Sequence, residues 1–523
     1  MLLEIVSNPK FLALVLFTSY CLLSILRRPR LPNIPIIGAR KGDWFPLLQA
    51  RWRNTRDFKS ALESAYAQSR PVLVPVAGEG DIVIMPPADI KFILDQPDSV
   101  LGFSERAFEI FQVDYTFMEP KIPRVPLHER LLRTKLTPQI GNLVSGLAEE
   151  AAWAFEKHWG SSEIEHDWRE VCVFESMRHI VGGVANRALV GLPYCRDPEL
   201  VNNGMAFAVD IPLSSTIIKM IWKPLRPLLA PLVTIPNRLH TRRFRNILTS
   251  EIGRRLRIYD EHQNDPESQE HEPNDFLQWS IQQAKAAGDP YMWRSTVLAD
   301  RILIVNFAAI HTTSFTSTEA LLDLVSSKAE YLDEIREEIT SVLAAHGGQW
   351  NKRALSQLEK LDSAIRESAR ISSIVSIGLG RAVVAEEGLT TPTGVHLPKG
   401  TKTSVSAYCI MRDEAAYPES ETFMPFRFFD QRNRVRPTED GKSDYVRIAR
   451  NALPTTNPDF LVFGHGKHAC PGRFFAAAEL KLIIAHALLY YDFEMLPKRP
   501  EGSWVGITKL PPLTATIKIR RRK

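Results

Sequence analysis

The chain has 523 residues, enough for one large domain or several small ones. Apolar residues make up 44% and charged residues 24%, which is ordinary for a globular protein and argues against a disordered chain. The 65 Lys and Arg only slightly exceed the 60 Asp and Glu, so the composition gives no sign of nucleic-acid binding. Five scattered cysteines without a CxxC pair argue against a disulfide framework and favour a reducing compartment.

The first predicted element is a membrane anchor. Residues 11–26 (FLALVLFTSYCLLSIL) carry no charge, and a helix of that length spans about 24 Å, slightly short of a thin bilayer core of roughly 27 Å. Arginines follow the run, which by the positive-inside rule keeps the rest of the chain cytosolic. A cleaved secretory signal is the alternative, but its charges should precede the apolar run. We predict an anchor over residues 1–30, a proline-rich spacer over 31–43 and one large domain over 44–523.

Helical patterns dominate this domain, and short strand-like stretches interrupt them at residues 71–76, 81–85, 390–399 and 515–519. No internal repeat or extended low-complexity tract occurs. The patterns therefore predict a mainly α domain with a small β contribution.

A helix predicted over residues 295–326 breaks a local rule. Residues 302–310 are apolar almost all round, so the helix should be buried on every side. Residues 311–314 (HTTS) then follow in mid-helix, where hydroxyl side chains bond back to the preceding turn. The polar residues either mark a functional site or only satisfy main-chain carbonyls.

A second predicted helix, residues 358–371, places Glu367 and Arg370 three residues apart on one face. An exposed ion pair with this spacing is common and contributes only a few tenths of a kcal/mol. The spacing alone therefore has little specificity.

The stretch FGHGKHACPGRFF, residues 463–475, holds the most unusual pattern in the chain. Cys470 directly precedes a predicted helix over residues 473–491, where main-chain N–H groups and the helix dipole favour a thiolate. Three glycines around it leave room for a flat ligand to approach the main chain. These residues suit a thiolate held against a large planar ligand.

Three other interpretations of Cys470 stay open at this point. A zinc site with His465 and His468 lacks the second pair of ligands that structural zinc usually needs. A nucleophilic cysteine with His468 as its base is possible, although the base normally comes from a distant segment. A buried structural cysteine leaves the three glycines unexplained.

Four motifs together resemble the cytochrome P-450 family of haem-thiolate monooxygenases and occur in that family's order. FGHGKHACPG (463–472) resembles the haem-binding signature, and ESAR (367–370) resembles the pair on the K helix. FMPFRF (423–428) resembles the segment whose arginine joins that pair, and AAIHTT (308–313) resembles the oxygen-activating stretch of the I helix. The resemblance covers essentially the whole chain, and the apolar N-terminus matches the microsomal members.

The resemblance implies a mainly α cytochrome P-450 fold, which is a large helical domain with a buried I helix and a small β-sheet subdomain, preceded by one N-terminal transmembrane helix. It implies haem b, with Cys470 as the axial ligand of the iron, and O2 and NADPH-derived electrons as co-substrates. Glu367, Arg370 and Arg427 are implied to form a buried structural triad.

Further haem contacts follow from the resemblance, because haem propionates need cationic or donor groups. His468 and Arg381 match such positions, and Arg133 matches the C-helix arginine, although the tryptophan common upstream of it is absent here. The implied haem-binding residues are Cys470, His468, Arg381, Arg133, Phe463, Gly464 and Gly472.

The implied catalytic residues are Thr312 and His311. Thr312 would be the distal threonine, whose hydroxyl relays protons with ordered water. Where His311 stands the family often has Asp or Glu, and a histidine can titrate near neutrality in its place or only shape the pocket. The pattern resembles a filamentous-fungal branch that oxidises terpenoid, indole-diterpenoid and meroterpenoid skeletons in secondary metabolism.

Substrate contacts in the family come from regions that are aromatic and aliphatic here, which suits an apolar polycyclic substrate. Residues 217–233 are apolar with a few basic side chains and are expected at the membrane interface, where such a substrate would enter. The implied substrate-pocket residues are Phe108, Phe111, Phe117, Phe207, Ala308, Ile374 and Ile377.

Because the chain ends soon after the haem segment, electrons are expected from a separate NADPH–cytochrome P-450 reductase, with cytochrome b5 as a second partner. The lipid bilayer is the third expected partner, and nucleic acid is not expected. The implied location is the endoplasmic reticulum membrane, single-pass, with the catalytic domain on the cytosolic face. Two other functions stay open, a haem-thiolate isomerase or dehydratase and a non-catalytic haem-binding sensor, although Thr312 argues against both.

Overall fold

The computed structural model describes residues 32–160, 167–261, 272–434, 449 and 451–522. The predicted membrane anchor, residues 1–30, lies outside the described residues. Across the described ranges, no helix is both long enough and apolar enough to cross a bilayer.

Helices make up most of the described structure, so the prediction of a mainly α fold with small sheets is confirmed. The longer helices are α1 (Pro46–Arg56), α2 (Phe58–Tyr66), α3 (Phe103–Phe111), α4 (Thr137–Trp159), α5 (Val173–Leu189), α6 (Pro198–Met220), α7 (Arg226–Val233), α8 (Ile235–Glu261), α9 (Phe276–Ala286), α10 (Ser295–Val325), α11 (Ala329–Ala345), α12 (Glu359–Ile371), α13 (Arg427–Arg434) and α14 (Arg473–Tyr490). Shorter helical segments are Ile90–Asp95, Val113–Thr116, Lys121–Arg124, Leu127–Leu131, Lys352–Gln357, Ala407–Ile410 and the π-helical turn Leu132–Leu136.

The strands are short, and those predicted from the sequence are present. The strands are β1 (Val72–Val76), β2 (Gly80–Met85), β3 (Leu101–Gly102), β4 (Arg169–Cys172), β5 (Gly378–Val383), β6 (Leu389–Thr390), β7 (His396–Leu397), β8 (Lys402–Val405), β9 (Tyr491–Phe493), β10 (Ser503–Val505), β11 (Thr508–Leu510) and β12 (Thr516–Arg521).

The chain forms two compact units, each assembled from separate segments. The smaller unit contains the described part of residues 1–118 together with Asp210–Asn237 and Leu379–Val405. Its centre is a five-stranded sheet in the order β1-β2-β8-β5-β3, in which β2 and β8 pair in parallel. The side chains of β1 are all buried, in keeping with its run of valine and leucine.

The end of the predicted proline-rich spacer is part of this sheet. Ile36 pairs in parallel with Leu73 of β1, and the Ile37 N–H donates to the Leu73 carbonyl at 2.8 Å. The Leu73 N–H donates in turn to the Pro35 carbonyl at 2.9 Å. The spacer is therefore held at the sheet edge from Pro35 onward and does not stand free of the body.

Buried ion pairs hold helix α3 within the smaller unit. The guanidinium of Arg106 lies 3.2 Å from Glu79, which follows β1, and 3.2 Å from Glu109 on the same helix. Lys219, at the end of α6, pairs with Glu79, and Lys402 of β8 pairs with Glu109. Segments that are distant in the sequence are thus joined by charge as well as by apolar packing.

The larger unit consists of Glu119–Val209, Arg238–Gly378 and the described part of Ser406–Lys523. Its core is helical, with α10 packed against α5, α12 and α14, and α4 packed against α5 and α14. A three-stranded sheet in the order β4-β12-β9 and the hairpin β10–β11 complete it. The candidate site is built mainly on α10, α12 and α14.

Helix α10 begins at Ser295 and ends at Val325, almost as predicted, but it is not buried on every side. Most of its residues are buried, whereas Ala308 and Thr312 are exposed. These two residues are four apart and share one face of the helix. The prediction of burial all round was therefore wrong on this face, because no side chain of the described residues covers Ala308 or Thr312.

Candidate functional site

The loop from Phe463 to Cys470 is closed by a single main-chain hydrogen bond. The Cys470 N–H donates to the Phe463 carbonyl at 2.8 Å. Gly464 and Gly466, with φ of +64° and +75°, take backbone conformations that other residues adopt only with strain. Helix α14 begins at Arg473, so the sulfur lies just before a helix N-terminus, as predicted from the sequence.

Opposing effects act on the Cys470 thiol. Burial raises its pKa, while hydrogen bonds from the main-chain N–H groups of Gly472 and Arg473 lower it. The positive charges of Arg473 and Arg133 also lower this pKa, but burial is the larger effect. The helix N-terminus therefore favours the thiolate, as expected, but does not by itself generate it, and a bound cation would complete the deprotonation.

Gly472 leaves space beside the sulfur. A Cβ atom placed on Gly472 would lie 4.0 Å from the Cys470 Sγ, and one on Gly464 would meet only main-chain atoms at 3.8 Å or beyond. The glycines thus keep the two sides of the loop open to a close-lying planar ligand. The donor set, a partly exposed thiol with two N–H groups directed at it, fits the axial ligand of a haem iron.

Cationic groups surround this loop. Arg133 lies in the π-helical turn and its Nη2 donates to the Lys467 carbonyl at 3.2 Å. The Arg473 Nη1 donates to the Cys470 carbonyl at 2.9 Å. His468 ends a short 3-10 turn, Gly466–His468. Of the predicted propionate contacts, Arg133 and His468 are therefore brought to the Cys470 loop.

Arg381, the third predicted propionate contact, lies in the smaller unit. It stands on β5, is 3% exposed, and its Nη1 donates to the Gly380 carbonyl at 2.8 Å. Its guanidinium lies 5.1 Å from the centre of the Phe103 ring. Burial lowers the pKa of Arg381, which marks a cation with little solvation of its own.

Thr312 lies on the exposed face of α10, together with Ala308. Its hydroxyl donates to the Ala308 carbonyl at 2.8 Å. Hydroxyl groups on the following turns do the same, since Thr316 donates to the Thr312 carbonyl at 2.9 Å. The Thr312 oxygen retains acceptor capacity toward the open side, so its main-chain bond is compatible with a role toward a ligand.

His311 points to a different environment. Burial, together with the charge of nearby Arg178, lowers its pKa to about 4, so the imidazole is neutral at neutral pH. Its buried Nδ1 has no hydrogen-bond partner among the described residues. The ring lies 5.8 Å from the Phe315 ring. Of the two roles left open for His311, these surroundings favour shaping the pocket over titration near neutrality, because desolvation disfavours the charged form.

The predicted triad residues meet on helix α12. Arg370 donates to both carboxylate oxygens of Glu367 at 2.8 Å, and Arg427 donates to the same carboxylate at 2.9 Å. The guanidinium groups also bind main-chain carbonyls, at Met411 for Arg370 and at Pro418 for Arg427. Glu367 and Arg370 are fully buried, so this i,i+3 pair is unlike the exposed pairs that share its spacing.

The implied substrate-pocket residues differ in exposure. In the smaller unit Phe108, Phe111 and Phe117 are partly exposed, and in the larger unit Ile374 and Ile377 are partly exposed and Ala308 is exposed. Phe207 is only 2% exposed, in the part of α6 that belongs to the larger unit, and its assignment to the substrate pocket stays a prediction. Nearby Met205 belongs to the same packed region, in a core cluster with Ile310 of α10.

The sequence analysis did not single out Glu479, which lies on α14 nine residues after Cys470. It is fully buried, and apart from the nearby Thr313 hydroxyl neither carboxyl oxygen has a hydrogen-bond partner among the described residues. Burial raises the pKa of Glu479 to about 8, opposed by the Thr313 hydroxyl, so the group is mainly protonated at neutral pH. The sequence signal that could have drawn attention to Glu479 is a single acid within the mostly apolar stretch AAAELKLII.

The family model for cytochrome P-450 matches residues 82–514. The chain belongs to the cytochrome P-450 family. It is 31% identical over 529 residues to cytochrome P-450 monooxygenase gloP of Glarea lozoyensis, covering 98% of this chain and 95% of that protein. It is 32% identical to cytochrome P-450 monooxygenase 110 of Postia placenta, covering 94% of each chain, and 30% identical to tenB of Beauveria bassiana, covering 95% and 93%.

Membership of the cytochrome P-450 family makes this chain a monooxygenase, an oxidoreductase that incorporates oxygen from O2. The family implies a haem cofactor and a redox partner that supplies electrons. The matched residues include the Cys470 loop, helix α12 and helix α10, so the features described above lie within the cytochrome P-450 region.

Proposed function

We propose that this cytochrome P-450 binds haem b through Cys470 and oxidises an apolar natural-product intermediate of fungal secondary metabolism. The proposed substrate classes are terpenoid, indole-diterpenoid and meroterpenoid skeletons. The observation that carries the proposal is the Cys470 loop, where two main-chain N–H groups and nearby cations act on one accessible thiol. When bound, the haem supplies the activation of O2 and the transfer of one oxygen atom.

Residues of this chain control the surroundings of that chemistry. Cys470 would hold the haem iron, and the N–H groups of Gly472 and Arg473 would stabilise its negative charge. The Thr312 hydroxyl donates to the Ala308 carbonyl, which fixes its rotamer. Its oxygen can then accept a hydrogen bond from a proton donor at the open face of α10. The small side chain of Ala308 leaves that face open to a ligand. His311, neutral and buried, shapes the helix and does not carry the proton.

Electrons are proposed to come from NADPH through a separate reductase, with cytochrome b5 as a second donor. Arg133 contacts Lys467 in the larger unit, and the two segments that meet there both carry exposed basic side chains, which support this proposal. They can attract an acidic partner and so raise the rate of encounter. The exposed cations are Arg130, Arg133, Lys135 and Lys467.

The protein is proposed to reside at the endoplasmic reticulum membrane, single-pass, with its body on the cytosolic side. The apolar residues 11–26 and the arginines that follow support this topology. A second feature supports it in the smaller unit. The helix α1 buries Ala50 and Asn54, yet exposes Leu48 and Trp52 on its outer side, with Trp44 and Phe45 exposed just before it. Such an inverted apolar face suits a lipid interface.

A second exposed apolar segment supports entry of a lipophilic substrate from that interface. Met220 is 69%, Leu228 is 71% and Leu232 is 64% exposed, all between the end of α6 and the end of α7. Lys223 and Arg226 lie among them. Apolar side chains mixed with cations are typical of segments that contact lipid headgroups.

The deciding experiment compares the wild-type protein with Cys470→Ser. We expect the dithionite-reduced, carbon monoxide-bound wild type to show the strongly red-shifted Soret band of thiolate-ligated haem, and the variant to lack it. Cys409→Ser is a matched control, because Cys409 is a buried cysteine of the same unit outside the loop.

Folded wild-type protein that binds no haem, or whose Soret band is unchanged by Cys470→Ser, would overturn the assignment. Substrate conversion is then measured with reductase and NADPH. Conversion that needs neither NADPH nor O2 would instead favour a haem-thiolate isomerase or dehydratase.

A further inference from the structure

Helix α12 carries a second set of buried charges, one turn before the Glu367–Arg370 pair. Asp362 and Arg366 lie four residues apart on this helix and are 4% and 0% exposed. Both contact residues 451–455, a segment upstream of the Cys470 loop. No motif identified in the sequence includes either residue.

Arg366 binds the main chain of that segment at three points. Its Nη1 donates to the carbonyls of Ala452 at 2.7 Å, Leu453 at 3.3 Å and Thr455 at 2.8 Å. Two aromatic rings also contact its guanidinium. The guanidinium carbon lies 3.6 Å from the centre of the Phe460 ring and 4.6 Å from the centre of the Phe428 ring. No carboxylate forms an ion pair with Arg366 among the described residues, so carbonyl dipoles and aromatic faces balance its charge.

Asp362 holds the same segment from the next turn of the helix. Its Oδ2 accepts from the Leu453 N–H at 2.9 Å and from the Arg432 Nη2 at 2.6 Å. The Arg432 Nη2 also donates to the Asn451 carbonyl at 2.7 Å. Lys481 of α14 lies 3.2 Å from the other Asp362 oxygen. The segment is therefore bonded on both sides by buried charged groups.

Residues 451–455 form turns and lie outside any helix or strand. Their main-chain carbonyls therefore have no hydrogen-bond partners from regular secondary structure. Arg366 donates to three of these carbonyls. Asp362 and Arg432 also bond this irregular segment, and Arg366 makes the largest number of the buried charged contacts to it.

The segment is connected directly to the Cys470 loop. The hydroxyl of Thr456, the next residue, lies 2.9 Å from the Nδ1 of His465. His465 stands inside the loop, which the Cys470-to-Phe463 main-chain bond closes. Displacement of residues 451–455 would thus move the loop through one hydrogen bond.

We propose that Arg366 is a positioning residue for the haem ligand: by fixing residues 451–455, and through Thr456 and His465 the loop, it holds the Cys470 sulfur in place for the iron. The inference rests on the proposed haem ligation by Cys470. It assigns to helix α12 a second role, beside the triad, in building the thiolate site.

The test compares Arg366→Met with Arg336→Met, each expressed as full chain with haem. Arg336 of α11 is a matched control, because it also binds two main-chain carbonyls, those of Leu488 and Tyr491 at 3.0 and 3.1 Å. Three quantities are measured: the fraction of carbon monoxide complex with the thiolate band, the rate of haem release to a haem-scavenging protein, and amide exchange of residues 463–470.

For Arg366→Met we expect haem release about tenfold faster, the effect of losing one to two charge-assisted hydrogen bonds. A larger non-thiolate fraction and faster amide exchange in the loop should accompany it. Arg336→Met should lower thermal stability while leaving haem release within about twofold of wild type. Equal haem release and equal thiolate fraction in the two variants would overturn the proposal and leave Arg366 as a purely structural residue.

A second variant covers the case in which Arg366→Met does not fold. Thr456→Val removes only the hydroxyl that bonds His465 and keeps the side-chain shape. Haem release about threefold faster is expected from the loss of one neutral hydrogen bond, and unchanged release and exchange would overturn the proposal. Wild-type protein without a thiolate band would instead overturn the haem ligation itself, so the two failures are distinguishable.

Discussion

At the scale of single residues, burial decides the protonation state more than residue type does. His311 and Glu479 are distant in the sequence, yet both are neutral at neutral pH. Burial lowers the pKa of the histidine to about 4 and raises the pKa of the acid to about 8. We therefore propose Thr312, whose hydroxyl lies on the exposed face, for a proton relay at α10.

Replacement of Thr312 tests this assignment. Thr312→Val should lower product formed per NADPH oxidised by about ten- to a hundredfold, at or below the lower limit of the range for general acid catalysis, because water can partly replace the hydroxyl. NADPH oxidation itself should continue, since electron delivery does not depend on this side chain. Product and NADPH are measured in the same reaction with the reductase.

Thr316→Val is the control for Thr312→Val. Thr316 makes the same type of bond to a carbonyl one turn further along α10. Its replacement should leave the ratio of product to NADPH within about twofold of wild type. An equal loss in both variants would assign the effect to the helix backbone and not to a proton relay.

At the scale of elements, helix α12 shows how one spacing serves two purposes. Glu367 and Arg370 are three residues apart and fully buried, whereas Glu175 and Arg178 on α5 have the same spacing at the surface. The buried pair has a third partner in Arg427, and each arginine also binds carbonyls. Loss of one member leaves uncompensated charges in the buried case only.

Glu367→Gln should therefore destabilise the protein by about 3–5 kcal/mol, because Arg370 and Arg427 would keep their charges without a buried carboxylate. Glu175→Gln, the matched surface change, should cost less than about 1 kcal/mol. Denaturant unfolding of both variants under identical haem loading measures the difference. Similar values for the two would contradict the distinction between buried and exposed pairs.

At the scale of the whole molecule, the exposed apolar surface matters most. Trp44 and Trp52 are 89% and 66% exposed, while the side of α1 turned inward presents Ala50 and the polar Asn54. A soluble protein with no partner at this surface would expose a large apolar patch, which is unusual. A bilayer would cover this patch if the two tryptophans lay at the membrane–water interface, where tryptophan is enriched.

Fluorescence quenching by lipids brominated in the upper acyl chain tests this contact in the full chain bound to vesicles. We expect the double variant Trp44→Phe, Trp52→Phe to lose a large part of the quenchable tryptophan emission, because both rings would lie among the lipids. Trp168→Phe is the control, since Trp168 is 43% exposed and belongs to the other unit. Equal quenching in all three proteins would contradict membrane contact by α1.

The sequence by itself determined the local features. The apolar period of α10, the helix after Cys470, and the short strands near residues 72 and 516 follow from neighbouring residues, so their predicted bounds agree with the structure to within about two residues. The ordered motifs placed the chain in its family because each motif is a short pattern that can be read without tertiary contacts.

Only the tertiary structure decided which polar groups are buried and what they contact. The exposed face at Ala308 and Thr312, the burial of Phe207, and the position of Arg366 over residues 451–455 depend on distant segments; Arg366 and Thr455, for example, are 89 residues apart in the chain. The free energy of a charge or hydroxyl depends on how much water its neighbours exclude, and those neighbours come from distant segments. For this reason the sequence could predict the haem ligand, while the buried polar contacts upstream of its loop became visible only in the fold.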